Sequence, residues 1–308
     1  MEKDQQFVRS VWPEWELTDL IGSGHLGMVY KARRRGGIED TFSAIKIVTF
    51  GSGPEIAADS VDADCFLAGT VRNYVGEIQQ LRCLGRCSNI VEIQDFSVYS
   101  NSGGHLWNAL IRMELLKNLY DDLDGRKITD RLIIRIGEDL CRALEVCSTE
   151  HIAHLDIKPT KVYVNDNGEY KLCFALSKQM MDCTSGSVIM ASRFMAPEVI
   201  NKPLDADDFD QAHLADIYSL STLLYWIAND MRLPFLEQRN LHTIKEYENA
   251  FQRKMNGEDP PPPMSVSVPL QKAILKGCMY DPLKRYSSAK EFGEALERIS
   301  LQEESSAN

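Results

Sequence analysis

The sequence predicts an α+β protein with a strand-rich first part and a helix-rich second part. Up to about residue 116, short runs rich in β-branched and aromatic residues alternate with turn residues around a single helix. Beyond residue 117, apolar residues recur at spacings of three and four over long stretches, which is typical of helices. The chain has 308 residues, more than one hydrophobic core usually fills, so we expect two lobes.

The predicted strands of the first lobe are short runs bounded by glycine or polar turns. They cover residues 15–20, 28–33, 42–48, 90–98 and 106–115. Between the third and the fourth, apolar residues from Val71 to Leu84 recur at helical spacing and predict an amphipathic helix. We interpret residues 51–69 as a polar connection that leads from strand to helix.

The second lobe is predicted to be built from helices. Apolar stripes or fully apolar runs mark residues 132–147, 217–228, 270–279 and 292–301, and the second of these predicts a helix that is buried on all sides. The sequence therefore divides into an N-terminal extension over 1–14, a first lobe over 15–116, a second lobe over 117–301 and a polar tail over 302–308.

The charge and the hydropathy exclude several classes of partner. The chain has 45 acidic and 34 basic residues, a net charge of −11, whereas nucleic acids and anionic membranes select clustered Lys and Arg. No run approaches 18 apolar residues, so no membrane span is predicted. The first residues lack the apolar core of a signal peptide, and the eight cysteines form no CxxC pair, which favours a cytoplasmic protein with protein or small-molecule partners.

A glycine pattern and a lysine point to nucleotide phosphates. Gly22, Gly24 and Gly27 form a G-x-G-x-x-G motif between two predicted strands, a position that argues against a dinucleotide-binding fold. Lys46 lies nineteen residues further on, in a predicted strand. Its ammonium could neutralise phosphates if a carboxylate of the following helix held it, and Glu77 lies on that helix.

Together with four further motifs, these features resemble the eukaryotic-type Ser/Thr protein kinase family over residues 15–299. His154 to Pro159 resembles the catalytic loop, Ala196 to Glu198 the end of the activation segment, Asp216 to Leu220 the start of the central helix, and Arg285 the arginine that pairs with Glu198. The residues of these motifs are similar to those of bacterial members of the family. Lys158, two residues after Asp156, resembles the Ser/Thr type rather than the tyrosine type.

The resemblance implies a fold and a set of site residues. The fold is a bilobal protein kinase, with a five-stranded antiparallel sheet and one regulatory helix in the first lobe, a larger helical second lobe, and an ATP cleft between them. Catalytic positions are Asp156 and Lys158. The implied ATP-binding positions are Gly22, Gly24, Gly27, Val29, Ala44, Lys46, Glu77, Met113, Glu114 and Leu116.

The sequence departs from the family at the two metal-binding positions. Protein kinases hold Mg²⁺ with the Asp of the Asp-Phe-Gly motif and with an Asn of the catalytic loop. Here Cys173 takes the place of the Asp, and Lys161 takes the place of the Asn. A thiol is a poor ligand for Mg²⁺, which prefers oxygen, and an ammonium repels the ion. We therefore expect Mg²⁺ binding to be weak or absent. These departures do not exclude ATP binding.

Two further departures concern regulation. Leu155 replaces the arginine of His-Arg-Asp, which removes the guanidinium that pairs with a phosphorylated activation loop. Ala191 replaces the threonine that precedes Ala-Pro-Glu, although the adjacent Ser192 could restore its hydroxyl through a shift of one residue.

These departures favour a pseudokinase that acts as a scaffold or an allosteric regulator of another protein. The alternative is an active or weakly active Ser/Thr kinase with atypical metal use, in which Asp166 or Asp182 supplies a metal ligand. Lys161 has two interpretations: it could replace Mg²⁺ and give metal-independent ATP binding, or it could bridge to Asp156 and block the site. We favour the bridge, because a buried carboxylate without a partner is costly.

Overall fold

The computed structural model describes most of the chain. Described are residues 1–24, 27–36, 40–51, 61–85, 87–100, 106–174, 192–201, 209–237 and 242–307, with backbone alone for 24, 61–67, 201 and 303–307. The chain forms two compact units: Met1–Arg86 with Val91–Leu116, and Cys87–Ile90 with Lys117–Asn308. Ala191, Asp182, and His25 and Leu26 of the glycine motif lie outside the described residues.

The first unit is built on an antiparallel five-stranded sheet. Its elements are α1 (Glu2–Val11), β1 (Trp15–Gly24), β2 (Gly27–Arg34), β3 (Phe42–Gly51), α2 (Val61–Leu84), β4 (Ile93–Ser100) and β5 (Leu106–Glu114). The strands lie in the order β1-β2-β3-β5-β4, and each neighbouring pair is antiparallel. The predicted strands and the predicted helix are thus confirmed.

Several boundaries differ from the prediction: β1 and β3 end at Gly24 and Gly51 rather than at residues 20 and 48, and the starts of α2 and β4 differ as well. Helix α2 begins at Val61, so the polar connection predicted to reach Gly69 is too long. Ala63, Leu67 and Ala68 are good helix formers, and they extend the helix in front of its amphipathic part. The fourth strand begins at Ile93 rather than at Ile90, because Ile90 forms a parallel bridge with Leu172 in the second unit instead.

The N-terminal extension contains a helix that the sequence did not predict. Val8 and Trp12 are buried in one apolar cluster with Trp15 and Leu17 of β1. The Gln5 side chain donates to the Trp15 carbonyl (3.2 Å) and accepts from the Leu17 backbone N–H (2.6 Å). Because β1 is an edge strand, Gln5 satisfies backbone groups that a further strand would otherwise pair with. Helix α1 is therefore an integral part of the first unit.

The second unit is mainly helical. Its elements are β6 (Lys117–Asn118), α3 (Leu119–Leu123), α4 (Asp130–Thr149), β7 (Val162–Val164), β8 (Tyr170–Leu172), α5 (Pro197–Asn201), α6 (Phe209–Ala228), α7 (Ile244–Met255), α8 (Val268–Gly277) and α9 (Ala289–Ala307). Short 3₁₀ turns cover Pro159–Lys161 and Pro282–Lys284. Strands β6, β7 and β8 form a small antiparallel sheet. None of the described helices is long and apolar enough to span a membrane.

The central helix α6 is buried nearly throughout, as predicted. It packs against α4 and α8, and α9 packs against α4. A side chain at Gly137 of α4 would come within 2.5 Å of Leu296 and 3.0 Å of Leu224, so this glycine lets α4 approach α6 and α9 closely. The part of α6 from Ala215 onward therefore forms the centre of this unit.

Candidate active site

The catalytic loop is tied to helix α6 by one buried carboxylate. Asp216, 2% exposed, accepts hydrogen bonds from the backbone N–H groups of His154 (2.7 Å) and Leu155 (2.6 Å), one on each carboxylate oxygen. Leu155 has φ +58°, in the left-handed region that costs a residue with a Cβ about 1–2 kcal/mol. The two charge-assisted hydrogen bonds stabilise this strained turn. The sequence marked Asp216 as the start of a helix but did not indicate this role.

His154 joins the loop to the segment after β8. Its Nδ1 accepts from the backbone N–H of Asp156 (3.2 Å), so the ring proton lies on Nε2, which donates to the Cys173 carbonyl (3.1 Å). The ring also contacts Phe174, with 4.5 Å between ring centroids. One neutral imidazole therefore fixes both the catalytic loop and the Cys173 backbone.

The carboxylate of Asp156 lies beside two ammonium groups. Lys158 Nζ donates to Asp156 Oδ1 at 2.7 Å, and Lys161 Nζ lies 4.0 Å from Asp156 Oδ2. All three side chains are only partly exposed, between 19% and 29%. This geometry favours the interpretation in which Lys161 neutralises Asp156. It also places a positive charge where a kinase would present an amide oxygen to a cation.

The two substituted metal-binding positions are adjacent. The Cys173 backbone N–H donates to the Lys161 carbonyl at 2.8 Å, and the Cys173 thiol is directed to the Phe174 carbonyl at 3.7 Å. Side chains at this place thus supply one carboxylate, two ammonium groups and a thiol, a donor set that does not fit Mg²⁺. Asp166 is exposed in the turn between β7 and β8, and no described cluster of three His, Cys, Asp or Glu could hold a metal.

Leu155 makes an apolar contact where kinases of this type have an arginine. Its side chain packs against a cluster formed by Ala196, Ala215 and Tyr218, together with Val199. This cluster joins the catalytic loop directly to the segment around Ala-Pro-Glu. The contact between the two segments therefore does not depend on a phosphate.

The predicted pair of Glu198 and Arg285 is confirmed. Arg285 donates to both oxygens of Glu198, at 2.6 and 2.9 Å, and its side chain has no exposed surface. Its remaining N–H groups donate to the carbonyls of Met279, Leu214 and Tyr280, at 2.8 to 3.0 Å. All five N–H donors of the guanidinium are satisfied, which is the condition for a stable buried charge.

The predicted nucleotide-binding residues of the first unit lie on the sheet and on α2. In register, Val29 of β2 is opposite Lys46 of β3, and Ala44 of β3 is opposite Met113 of β5. Gly22 pairs with Val29, Gly24 pairs with Gly27, Glu77 lies on α2, and Leu116 follows β5. Glu114 is the last residue of β5, and its side chain accepts from the backbone N–H of Glu92 at 2.7 Å. The ATP-binding role of these residues stays a prediction.

The structure explains why position 27 is a glycine without reference to a nucleotide. Gly27 has φ +117°, and a Cβ there would lie 2.0 Å from the Ile47 carbonyl oxygen. Only glycine fits this close approach of β2 to β3. The third glycine of the motif is therefore required by the sheet itself.

Asp216→Asn is expected to lower the free energy of unfolding by about 2–3 kcal/mol, because an amide can accept only one of the two buried N–H groups and turns its NH₂ toward the other. Urea unfolding of the purified protein measures the change. Asp210→Asn, on the first turn of the same helix, is the control and should shift stability by less than about 0.5 kcal/mol. Equal effects of the two substitutions would contradict the assigned role of Asp216.

The comparisons with known proteins agree with this geometry. A family model described as "Protein kinase domain" matches residues 15–296. The chain is 26% identical over 295 residues to a probable serine/threonine-protein kinase of Clostridium perfringens, covering 92% of this chain and 38% of that protein. It is 27% identical over 304 residues to serine/threonine-protein kinase PknB of Mycobacterium leprae (92% and 43%), and 26% identical over 230 residues to a Wee1-like protein kinase of Oryza sativa subsp. japonica (71% and 41%). The chain spans about two fifths of the length of these relatives.

Proposed function

Because this chain belongs to the protein kinase domain family, we propose that it is a pseudokinase, a kinase fold that regulates or scaffolds another protein without metal-dependent phosphoryl transfer. The observation that supports this most is the position of the Lys161 ammonium, which replaces the metal-binding amide of the family and lies 4.0 Å from Asp156 Oδ2. A cation that bridges phosphates would meet positive charge there instead of oxygen ligands.

The expected loss of rate follows from what the metal does. In kinases the ions bridge the β- and γ-phosphates and neutralise the charge that develops on them. A loss of about 4 kcal/mol of transition-state stabilisation corresponds to roughly a thousandfold in rate. Lys161 and Cys173 replace both metal ligands, so turnover by the usual mechanism falls by at least that factor.

The contacts that hold the fold are retained, and this supports a role in binding. The Glu198–Arg285 pair is complete, and the strained turn of the catalytic loop is held by Asp216. Leu155 replaces a phosphate-dependent ion pair with a permanent apolar contact. The contact between the catalytic loop and the segment around Ala196 is thus made without a phosphate, which favours a scaffold.

We further propose that Lys161 neutralises Asp156 without blocking the site, and that ATP, held by the glycine motif and Lys46 as the family resemblance implies, binds without Mg²⁺. The test is thermal unfolding with ATP, once with Mg²⁺ and once with EDTA. At a hundred times its Kd a ligand adds about 2.7 kcal/mol, which shifts the midpoint by about 4 °C for a chain of this length. Equal shifts are expected. A shift that needs Mg²⁺ would contradict metal-independence, and no shift under either condition would contradict ATP binding.

One observation favours the second candidate, a weakly active Ser/Thr kinase. The contact of 2.7 Å between Lys158 and Asp156 keeps the two catalytic residues of the family together. In that case Asp156 would orient the substrate hydroxyl, and another group would have to supply the charge of the metal. A transfer assay separates the two candidates, because this one requires turnover that depends on Asp156.

A further inference from the structure

Helix α7 is attached to the rest of the second unit by few contacts. None of its residues is fully buried, and its backbone makes no extended contact with another described helix or strand. Its aromatic residues Tyr247 and Phe251 line a cavity together with Leu233 and Phe235, and about 50 Å³ of this cavity is unfilled. Elements with few buried apolar contacts open locally more easily than a core does. We therefore expect α7 to detach while the core stays folded.

Lys254, in the last turn of α7, makes the polar contacts of this attachment. Its Nζ donates to the carbonyl of Ser192 at 3.0 Å and to that of Met195, and it lies 5.3 Å from the centre of the Tyr218 ring. The residue as a whole is half-buried, whereas its ammonium is enclosed. In the described part of the chain, no carboxylate lies within ion-pair distance of Lys254. Attachment of α7 therefore encloses a cation without a counter-ion, which is unfavourable.

The enclosure changes the proton affinity of this amine. Burial lowers the pKa of Lys254 from its ordinary value of 10.5 to about 7, because water no longer solvates the ammonium. Of the groups around it, Cys278 and Glu198 raise this pKa and Arg285 lowers it, and the last two are bound to each other. A neutral amine still has two N–H groups, one for each of the two carbonyls. The attached state therefore keeps its hydrogen bonds without the extra proton.

We propose that Lys254 is a pH-sensitive attachment point, which holds α7 to residues 192–195 more firmly at slightly alkaline than at neutral pH. When α7 detaches, the amine reaches water and regains its ordinary proton affinity, so detachment takes up a proton. Acid therefore favours detachment between pH values of about 10.5 and 7, and has little further effect below the lower value.

The attachment point is connected to the candidate site through one short segment. Residues 192–195 lead directly into Ala196, and Ala196 belongs to the apolar cluster against which Leu155 of the catalytic loop packs. A change in the attachment of α7 thus acts on the neighbour of the catalytic loop. This inference does not depend on the proposed function, because it concerns the fold alone.

The interval from pH 7.5 to 8.5 separates Lys254 from the other titratable groups that face it. Burial raises the pKa of Cys278 from 9.0 to about 12, and it also raises the pKa of Tyr218. Exposure of these two groups on detachment would act in the opposite direction, but only from about pH 9 upward, where they begin to ionise in water. Guanidinium groups such as those of Arg193 and Arg285 do not titrate at these pH values.

Hydrogen exchange followed by mass spectrometry on the full chain tests the proposal. Peptides that cover residues 244–255 are compared at pH 7.5 and 8.5, with each rate divided by the intrinsic exchange rate at that pH. One linked proton with pKa values of about 7 and 10.5 makes the opening constant of α7 about eightfold larger at pH 7.5 than at pH 8.5. These peptides should also exchange faster than those of the buried helix α6, and equal protection of the two helices would contradict detachment.

Two lysine variants identify the group that takes up the proton. Lys254→Met keeps the apolar stem and removes the titrating amine, so its opening constant should differ by less than about twofold between the two pH values. Lys276→Met is the matched control and should keep the eightfold change, because Lys276 pairs with Glu291 at 2.8 Å between α8 and α9, away from α7.

Two results would overturn the proposal. One is an opening constant of the unchanged protein that is the same at pH 7.5 and 8.5, a result that requires no variant. The other is an eightfold change that persists in Lys254→Met. If Lys254→Met does not fold, Lys254→Arg takes its place with the same expectation, because a guanidinium does not titrate in this interval.

Discussion

Arg285→Met is expected to lower the free energy of unfolding by about 3–5 kcal/mol. The substitution leaves the Glu198 carboxylate without its partner, and it removes the donors to three backbone carbonyls. Methionine fills much of the volume, so the loss reports on the charge and the hydrogen bonds rather than on a cavity. Guanidinium unfolding followed by circular dichroism measures it.

Arg253→Met is the matched control for this substitution. Arg253 pairs with Glu258 at the surface, with both side chains more than 40% exposed, and exposed pairs contribute about 0–1 kcal/mol. The two variants remove the same group from a buried and from an exposed ion pair. A loss below about 1 kcal/mol in Arg285→Met would contradict the role assigned to the buried pair.

The double variant Lys161→Asn, Cys173→Asp is expected to make ATP binding depend on Mg²⁺. It restores an amide and a carboxylate at the two metal-binding positions, which the backbone hydrogen bond between residues 161 and 173 holds adjacent. We expect ATP to bind at least roughly tenfold more tightly with Mg²⁺ than with EDTA, whereas the unchanged protein shows no such difference. Isothermal titration under both conditions measures the ratio.

The control for the double variant is Lys161→Met with Cys173→Ala. It removes the ammonium and the thiol without supplying oxygen ligands, so it should show no preference for Mg²⁺. If both double variants respond equally to Mg²⁺, the identity of the ligands at 161 and 173 is not what decides metal binding. That result would contradict the metal-site explanation.

The sequence predicted the sheet, the buried helix α6 and the Glu198–Arg285 pair, because each leaves a local pattern or a fixed motif. It did not predict α1 or α7. Both helices have apolar residues at helical spacing, but the stripes are short: Phe7, Val8 and Val11 in α1, of which Val8 is buried, and Ile244, Tyr247 and Phe251 in α7, which has no fully buried residue. Helix α7 begins instead with a capping box of Thr243 and Glu246, a weaker signal that could have indicated its start.

The candidate site likewise has some features that the sequence predicts and others that it does not. The substitutions at Lys161 and Cys173 are visible in the sequence because the surrounding motifs define the positions. The tether from Asp216 to the catalytic loop joins residues 61 and 62 positions apart, and the contacts of Lys254 reach 59 and 62 positions. A periodic pattern in the sequence does not indicate contacts between residues so far apart in the chain. They follow from the packing of α6 and α7 and become visible only with coordinates.

Transfer of radiolabelled phosphate from ATP tests the central claim most directly. The purified protein is incubated with Mg²⁺ or Mn²⁺ and a basic acceptor protein, next to Asp156→Asn. The pseudokinase account predicts that incorporation into the protein itself and into the acceptor equals that of Asp156→Asn under both conditions. Incorporation that rises with time and that Asp156→Asn abolishes would contradict the account and establish an active kinase.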